Sequence, residues 1–540
     1  MNKILYALFF LLLAAGRTGA QAPHIEKSEA FDEPGDGWNK VLQLKNGNTF
    51  FLHFSRKNGV EINVYGKDRK LVGTQEVTSD LWEIKKLQYT LIAGLHEINN
   101  EVVLFLVQMD GRTPTLYRVR FSGATGAKVA DEEMGSLPKI KMFSMGATEA
   151  NNIFVEKDPA SDCYAVIYFN GFANDKDERI RVEHYDGSHK IISKAFYDSP
   201  NEDFRYLRYV GCVVDGPNRL YIGTYGARKL NGKEGMVHIS RLKAGATAFE
   251  NKPLKFTEDF KDTKSIMAYN HSNNTIQMLA LAFSRGRMSV FGNSARGEYM
   301  SLMSYIDPES MDLKSVKPLA GAKVNEYVHR ALNSDMNYTG LPQQMVINKD
   351  NSTTIHSEMQ MQEMTVDQNG NIVSSMTYLG AMGVNELEAD GTERAGYAIL
   401  KNQAAGGLLD PLYISARSNG RWQYIVGAAT HNAYISFDYV NTDKGRYIIF
   451  NESNKNIDRD EDKRRKVVMN VNKLNTLCYS LNGTTMSKFF LFGEPADDSK
   501  SSSCQISTSD FDKNTGTYAT VMIEREGRDR SAKIVWVKFE

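Results

Sequence analysis

The chain has 540 residues, of which 65 are basic and 65 acidic, so its formal net charge is zero. That balance removes the electrostatic footprint of a nucleic-acid binder and excludes that partner class. The length exceeds a usual single core, which calls for several domains or one repeat architecture.

From Ile4 to Ala15 the sequence is almost wholly apolar, the length of a secretory core and too short to span a bilayer. Small residues at Thr18-Gly19-Ala20 suit a signal peptidase, whereas cutting after Ala22 would place Pro23 directly at the junction. Residues 1–20 therefore read as a signal peptide and residues 21–540 as an exported chain, periplasmic or extracellular. No cysteine lies near the junction to carry a lipid, and no later segment reaches the roughly 20 apolar residues of a membrane-spanning helix.

The first strands follow at once. Asn46-Gly47 and Asn58-Gly59 bracket a run in which Phe50, Leu52 and Phe54 alternate with Phe51 and His53. Asn-Gly is the strongest short hairpin signal, because a type I′ turn needs positive φ at both central residues. Val60, Ile62 and Val64 continue the period of two, and Lys70 to Val77 supplies a fourth strand. The unit is a four-stranded antiparallel meander.

Similar blocks recur from Glu97, Ala160, Tyr209, Ser265, Gln343 and Asn432, and twelve Asn-Gly or Asp-Gly dipeptides punctuate the chain. Helical period is scarce beyond the leader, and no linker marks off immunoglobulin-sized units. The expectation is an all-β chain, a single β-propeller of about seven or eight four-stranded blades filling residues 21–540.

Candidate chemistry is sparse. His184 and His189 flank the Asp186-Gly187 turn, but two imidazoles are too few for a metal and read as surface histidines. In "DFRYLRYVG", Arg205, Tyr206, Arg208 and Tyr209 form a candidate partner patch, with packing between sheets as the alternative. Met359, Met361 and Met364 read as core filler. Asp458, Asp460 and Asp462 stand at the alternate positions that oxygen ligands for Ca²⁺ take, yet Lys463 replaces the turn glycine and Arg464, Arg465 and Lys466 oppose a cation. A solvated hairpin tip fits better, and no cofactor is expected.

The four cysteines are Cys163, Cys212, Cys478 and Cys504. An export address allows a disulfide, with Cys478 and Cys504 the preferred pair, and four buried thiols as the alternative. "FSGATGAK" from Phe121 lacks the spacing of a phosphate cradle, and no nucleophile elbow, Walker loop or zinc signature is present. Trp38, Trp82, Trp422 and Trp536 could stack on sugars, although tryptophan in strands is usually core.

The stretches "LPQQMVINKDNSTTIHSEMQ", "GYAILKNQ" and "GRYIIFNESNKNID" resemble a functionally uncharacterised group of secreted, β-propeller-like proteins of the Bacteroidota. This chain departs from their pattern at Phe450-Asn451-Glu452, where an aspartate is commoner at the third position. The resemblance implies fold and export and carries no catalytic residues. Two functions remain: a noncatalytic scaffold binding a protein or glycan of the cell envelope, or a glycan-active hydrolase or lyase with an acidic pair in the funnel.

Overall fold

The computed structural model describes residues 23–139, 151–171, 179–197, 204–229, 235–257, 263–285, 298–368, 372–423, 430–457, 465–469, 471–482, 485–497 and 499–539. These residues are all-β, in eight antiparallel sheets of four or five strands. Seven follow one another along the chain, with four consecutive strands each within residues 38–77, 91–136, 151–196, 206–254, 263–318, 341–399 and 438–490; Gln403–Gly406 adds a fifth strand to the sixth sheet and Trp422–Gln423 one to the second. The eighth combines strands from residues 500–538 with His24–Lys27, which pairs with Asp529–Lys538 in the register Ile25 to Val537.

Packing links these sheets in sequence. One apolar cluster joins Leu52 and Phe54 of the first sheet to Leu104 and Leu106 of the second, and five more join each sheet to its successor as far as the seventh. Tyr447 and Cys478 of the seventh sheet then meet Cys504 and Tyr518 of the eighth. Finally Val41, Phe51 and Tyr65 of the first pack on Val521, Ile534 and Trp536 of the eighth. This succession is consistent with a β-propeller.

Strands sandwiched on both faces lose the alternation of a half-solvated sheet. Thr49–Ser55 is buried at every position, whereas the outer strand Leu71–Val77 is mostly exposed. The hairpins form where expected, with a different turn. Of the four Asn-Gly residues only Gly47 and Gly59 take positive φ, and the Gly47 amide donates to the Leu44 carbonyl. A type I turn followed by one left-handed residue accounts for this bond and for the positive φ at Gly47 and Gly59. At Asp186-Gly187 that left-handed position falls on His189, with φ 64°.

Several expectations change. His184 is buried and its Nε2 lies 2.9 Å from the Gly216 carbonyl, while His189 Nδ1 lies 3.1 Å from the Tyr164 hydroxyl, so they are not a surface pair. Among the described residues no cluster of three metal-ligating side chains occurs. Asp458, Asp460 and Asp462 lie outside the described residues. Met361 is 62% exposed and Met364 36%, because the hairpin of Thr353–Val366 and Ile372–Leu387 runs beyond the partner strand Leu341–Ile347. Met359 sits where that pairing ends, so the methionines are not core filler as a group. Among the described residues no helix is long and apolar enough to cross a membrane.

Cys478 and Cys504 share one cluster but stand as free thiols in place of the expected disulfide, as do Cys163 and Cys212. Burial pushes the Cys504 thiol up to about 12 and those of Cys212 and Cys478 well above the ordinary value. Thiolate is the reactive form. The native protein is therefore expected to resist a thiol-specific chromogenic reagent and, once unfolded, to release four equivalents. Rapid native labelling, or only two equivalents after unfolding, would contradict this arrangement.

Candidate functional site

The first strands of successive sheets bring residues distant in sequence around one cavity of about 940 Å³. Trp38, Asn39 and Lys40 come from the first sheet, Asn152, Phe154, Val155 and Glu156 from the third, Tyr209 to Cys212 from the fourth and Lys264 to Met267 from the fifth. A segment between the sixth and seventh sheets supplies another wall. It leaves strand Gln403–Gly406, forms the helix Tyr413–Ser418 and reaches the second sheet, where Trp422 pairs with Ile92. Leu408 to Tyr413, Arg417, Arg421 and Trp422 of this crossing segment face the cavity.

Two aromatic pairs stand in the wall. Trp38 stacks on Phe54 at 3.7 Å, and Trp422 meets Trp38 edge-on at 4.9 Å. Phe154 and Tyr209, on neighbouring sheets, stack at 3.8 Å. Asn39, Asn152, Asn419, Asn432 and Gln505 also line the cavity, with Asn39 bonded to Gln505, Asn432 to the Gly406 backbone and Gln505 to Glu33. Aromatic and polar side chains sharing one concave wall are the composition that suits a sugar.

Most charges in the wall are paired. Lys264 Nζ lies 3.4 Å from Asp410, and Arg417 donates at 2.8 Å to Asp438. Glu33 accepts from Gln505 at 2.9 Å and is bridged by Arg530 and Tyr434. Lys40 donates to the Ser509 carbonyl, and burial lowers its ammonium value against the pull of Asp510. Beneath the wall, Tyr413 donates at 2.9 Å and Ser436 at 3.2 Å to Glu358, which is ion-paired with Lys401.

Glu156 differs. Its carboxylate accepts from the Tyr209 hydroxyl at 3.1 Å. Burial raises its value to about 7, although Arg421 and the Tyr209 hydrogen bond pull the other way. Tyr209 is held well above the ordinary phenol value by burial and by Glu156. Arg421 sits with its guanidinium carbon 4.2 Å over the Phe154 ring.

Only part of the patch named from sequence belongs here. Tyr209 faces the cavity, Arg205 is exposed with its guanidinium 5.4 Å from the Tyr206 ring, and neither Tyr206 nor Arg208 lines the wall. Of the tryptophans, Trp38 and Trp422 line the cavity, while Trp82 and Trp536 are core. Glu156, Phe154 and Arg421 were not singled out in the sequence. Arg421 adjoins Trp422, which offered a local signal; Glu156 lies in an ordinary strand and offered none.

No protein-family model matches the chain, and no curated protein matches it. Among solved structures, the polysaccharide lyase Uly1 aligns over 96% of this chain and 100% of its own, at 10% identity with a TM-score of 0.40. A prolyl oligopeptidase B from Galerina marginata aligns over 94% of this chain and 56% of its own, at 8% identity and a TM-score of 0.38. A member of the DUF4221 family from Bacteroides vulgatus aligns over 75% of this chain and 100% of its own, at 12% identity and a TM-score of 0.29. Likenesses at this level bear on no residue of the site.

Proposed function

We propose that this chain is an exported, noncatalytic eight-bladed β-propeller that binds a glycan of the cell envelope in its central cavity. The observation that carries the reading is the wall itself, where Trp38, Trp422 and Tyr209 stand with the side-chain amides of Asn152 and Asn419 around about 940 Å³. That volume suits a small oligosaccharide, and the apolar planes contribute contact area while the amides set orientation. Packing of the eighth sheet on the first supports the closed ring.

The hydrolytic alternative asks for two carboxylates acting together across a glycosidic bond. Glu33 and Asp410 already face Arg530 and Lys264, and among the described residues no second carboxylate bears on Glu156. Binding is the better-supported role.

Calorimetric titration of residues 21–540 with soluble envelope oligosaccharides tests it. Trp38→Ala and Trp422→Ala are each expected to weaken binding about tenfold, roughly 1.4 kcal/mol, with Trp38→Phe retaining most of the affinity. A chain that binds none of these sugars yet retains one envelope protein reproducibly would replace the glycan with a protein ligand.

A further inference from the structure

We propose that Arg56, Lys57 and Lys85 form a recess beside the cavity that binds the anionic group of an acidic glycan, a sulfate or a carboxylate, while the neutral part of that glycan lies in the cavity. The inference rests on the reading of the cavity as a glycan site. A second concavity, of about 510 Å³, is lined by these three cations and by Asp36. Its charge is lopsided in a chain whose charges otherwise cancel.

The backbone that carries the cations is held from below. Arg56 and Lys57 occupy the turn between Thr49–Ser55 and Gly59–Tyr65, where the Asn58 amide donates to the Ser55 hydroxyl at 3.0 Å and Gly59 takes a φ of 82°. Lys85 belongs to the short 3₁₀ helix Ile84–Tyr89, beside which Trp82 and Leu87 enter the core. The buried Gln108 side chain fixes the start of that helix, accepting from the Glu83 amide at 2.9 Å and donating to the Glu83 carbonyl at 3.0 Å. The two elements abut, since a β-carbon at Gly59 would stand 3.4 Å from Ile84 Cδ1.

These charges are open to a ligand. Among the described residues no carboxylate pairs with Arg56, Lys57 or Lys85, whereas the adjacent Lys86 is held by Glu83 at 2.6 Å. All three cations are exposed. Asp36 carries the single negative charge of the lining, and His53 Nε2 lies 3.9 Å from it. Like charges gathered in a concavity raise its potential, and an anion relieves them.

The recess adjoins the cavity along the chain itself. Asp36 lines the recess while Gly37 and Trp38 line the cavity, and two residues of chain span at most about 7 Å. On the partner strand Phe54, opposite Trp38 and stacked on it at 3.7 Å, lies two residues before Arg56. A sugar ring held against Trp38 therefore brings its neighbour toward the cations.

The test titrates two matched pairs calorimetrically into residues 21–540: a sulfated oligosaccharide beside its desulfated form, and a galacturonate oligomer beside the same oligomer reduced at C6. An exposed ion contact is worth roughly two- to fivefold, so the acidic member of one pair is expected to bind about tenfold tighter in about 20 mM salt. That advantage should vanish in about 500 mM salt, where the Debye length has fallen from roughly 20 Å to roughly 4 Å. The triple variant Arg56→Gln, Lys57→Gln, Lys85→Gln should bring the acidic form down to the affinity of its neutral partner, with an unchanged melting temperature because the three side chains are exposed. Asp36→Asn should act in the opposite direction, tightening the acidic form about threefold. Equal affinity within both pairs, or an acid preference that survives the triple variant, overturns the recess and leaves the cavity reading standing. Inorganic sulfate binding as tightly as the sulfated oligomer overturns the link between recess and cavity. Failure of every sugar to bind, neutral or acidic, overturns the cavity reading and this extension of it together.

Discussion

Replacing Lys401 with methionine is expected to destabilise the protein by about 3–5 kcal/mol, read as a shift of the denaturant midpoint. Lys401 and Glu358 are both fully buried, with side-chain exposures of 0% and 0%, and form an ion pair. Burial lowers the Lys401 ammonium value, while Glu358 pulls it back up. Removing the cation leaves the Glu358 carboxyl buried without its counter-charge, beside the Tyr413 and Ser436 hydroxyls. Removing both charges is different, because two apolar side chains of similar volume need no partner. The double variant Lys401→Met with Glu358→Leu should recover most of the loss. If the single variant changes stability by less than about 1 kcal/mol, the pair is not the buried charge contact described here.

This effect reaches the cavity. Tyr413 and Ser436 line it and are held from below by Glu358, so the ion pair acts as a positioning element for the wall. Lys401→Met is expected to weaken ligand binding even under conditions where the fold persists.

The second large effect is at the joint between the eighth and first sheets. Trp536→Ala is expected to cost about 3–5 kcal/mol, the range for deleting a fully buried aromatic. Trp536 is 1% exposed, meets Tyr65 edge-on at 5.7 Å and lies 4.8 Å beneath the Arg69 guanidinium. Its indole N–H donates to the Thr49 hydroxyl at 2.9 Å, a bond across 487 residues of sequence. In a ring, the joint between last and first sheets carries the longest loop closure, so weakening it should loosen both flanking sheets together. Hydrogen exchange should accelerate in Thr49–Ser55 and in the pairing of His24–Lys27 with Asp529–Lys538. A matched deletion elsewhere, Phe105→Ala between the second and third sheets, should leave that terminal pairing protected. Equal acceleration in both variants would argue against a distinct closing joint.

Period-two runs and Asn-Gly turns made the strands legible, because both are local. The first sheet is the clear case: Trp38–Gln43, Thr49–Ser55, Gly59–Tyr65 and Leu71–Val77 follow the expected order. The turn type was less legible. Asn46 supplies no positive φ, since a type I turn places the left-handed residue one step later, on Gly47. Met361 shows the same limit for burial, as a strand that outlasts its neighbour exposes side chains whose pattern still reads as core.

Local spacing by itself determined that this chain is a series of antiparallel hairpins with almost no helix, since strand period and turn chemistry act over a few residues. The tertiary structure alone decided the site. Trp38, Glu156, Tyr209, Lys264 and Arg421 meet only because successive sheets turn their first strands toward one cavity and a later segment crosses back to pair with the second sheet. Burial then raises the Glu156 carboxyl, and burial is a property of the packed whole that no stretch of sequence carries.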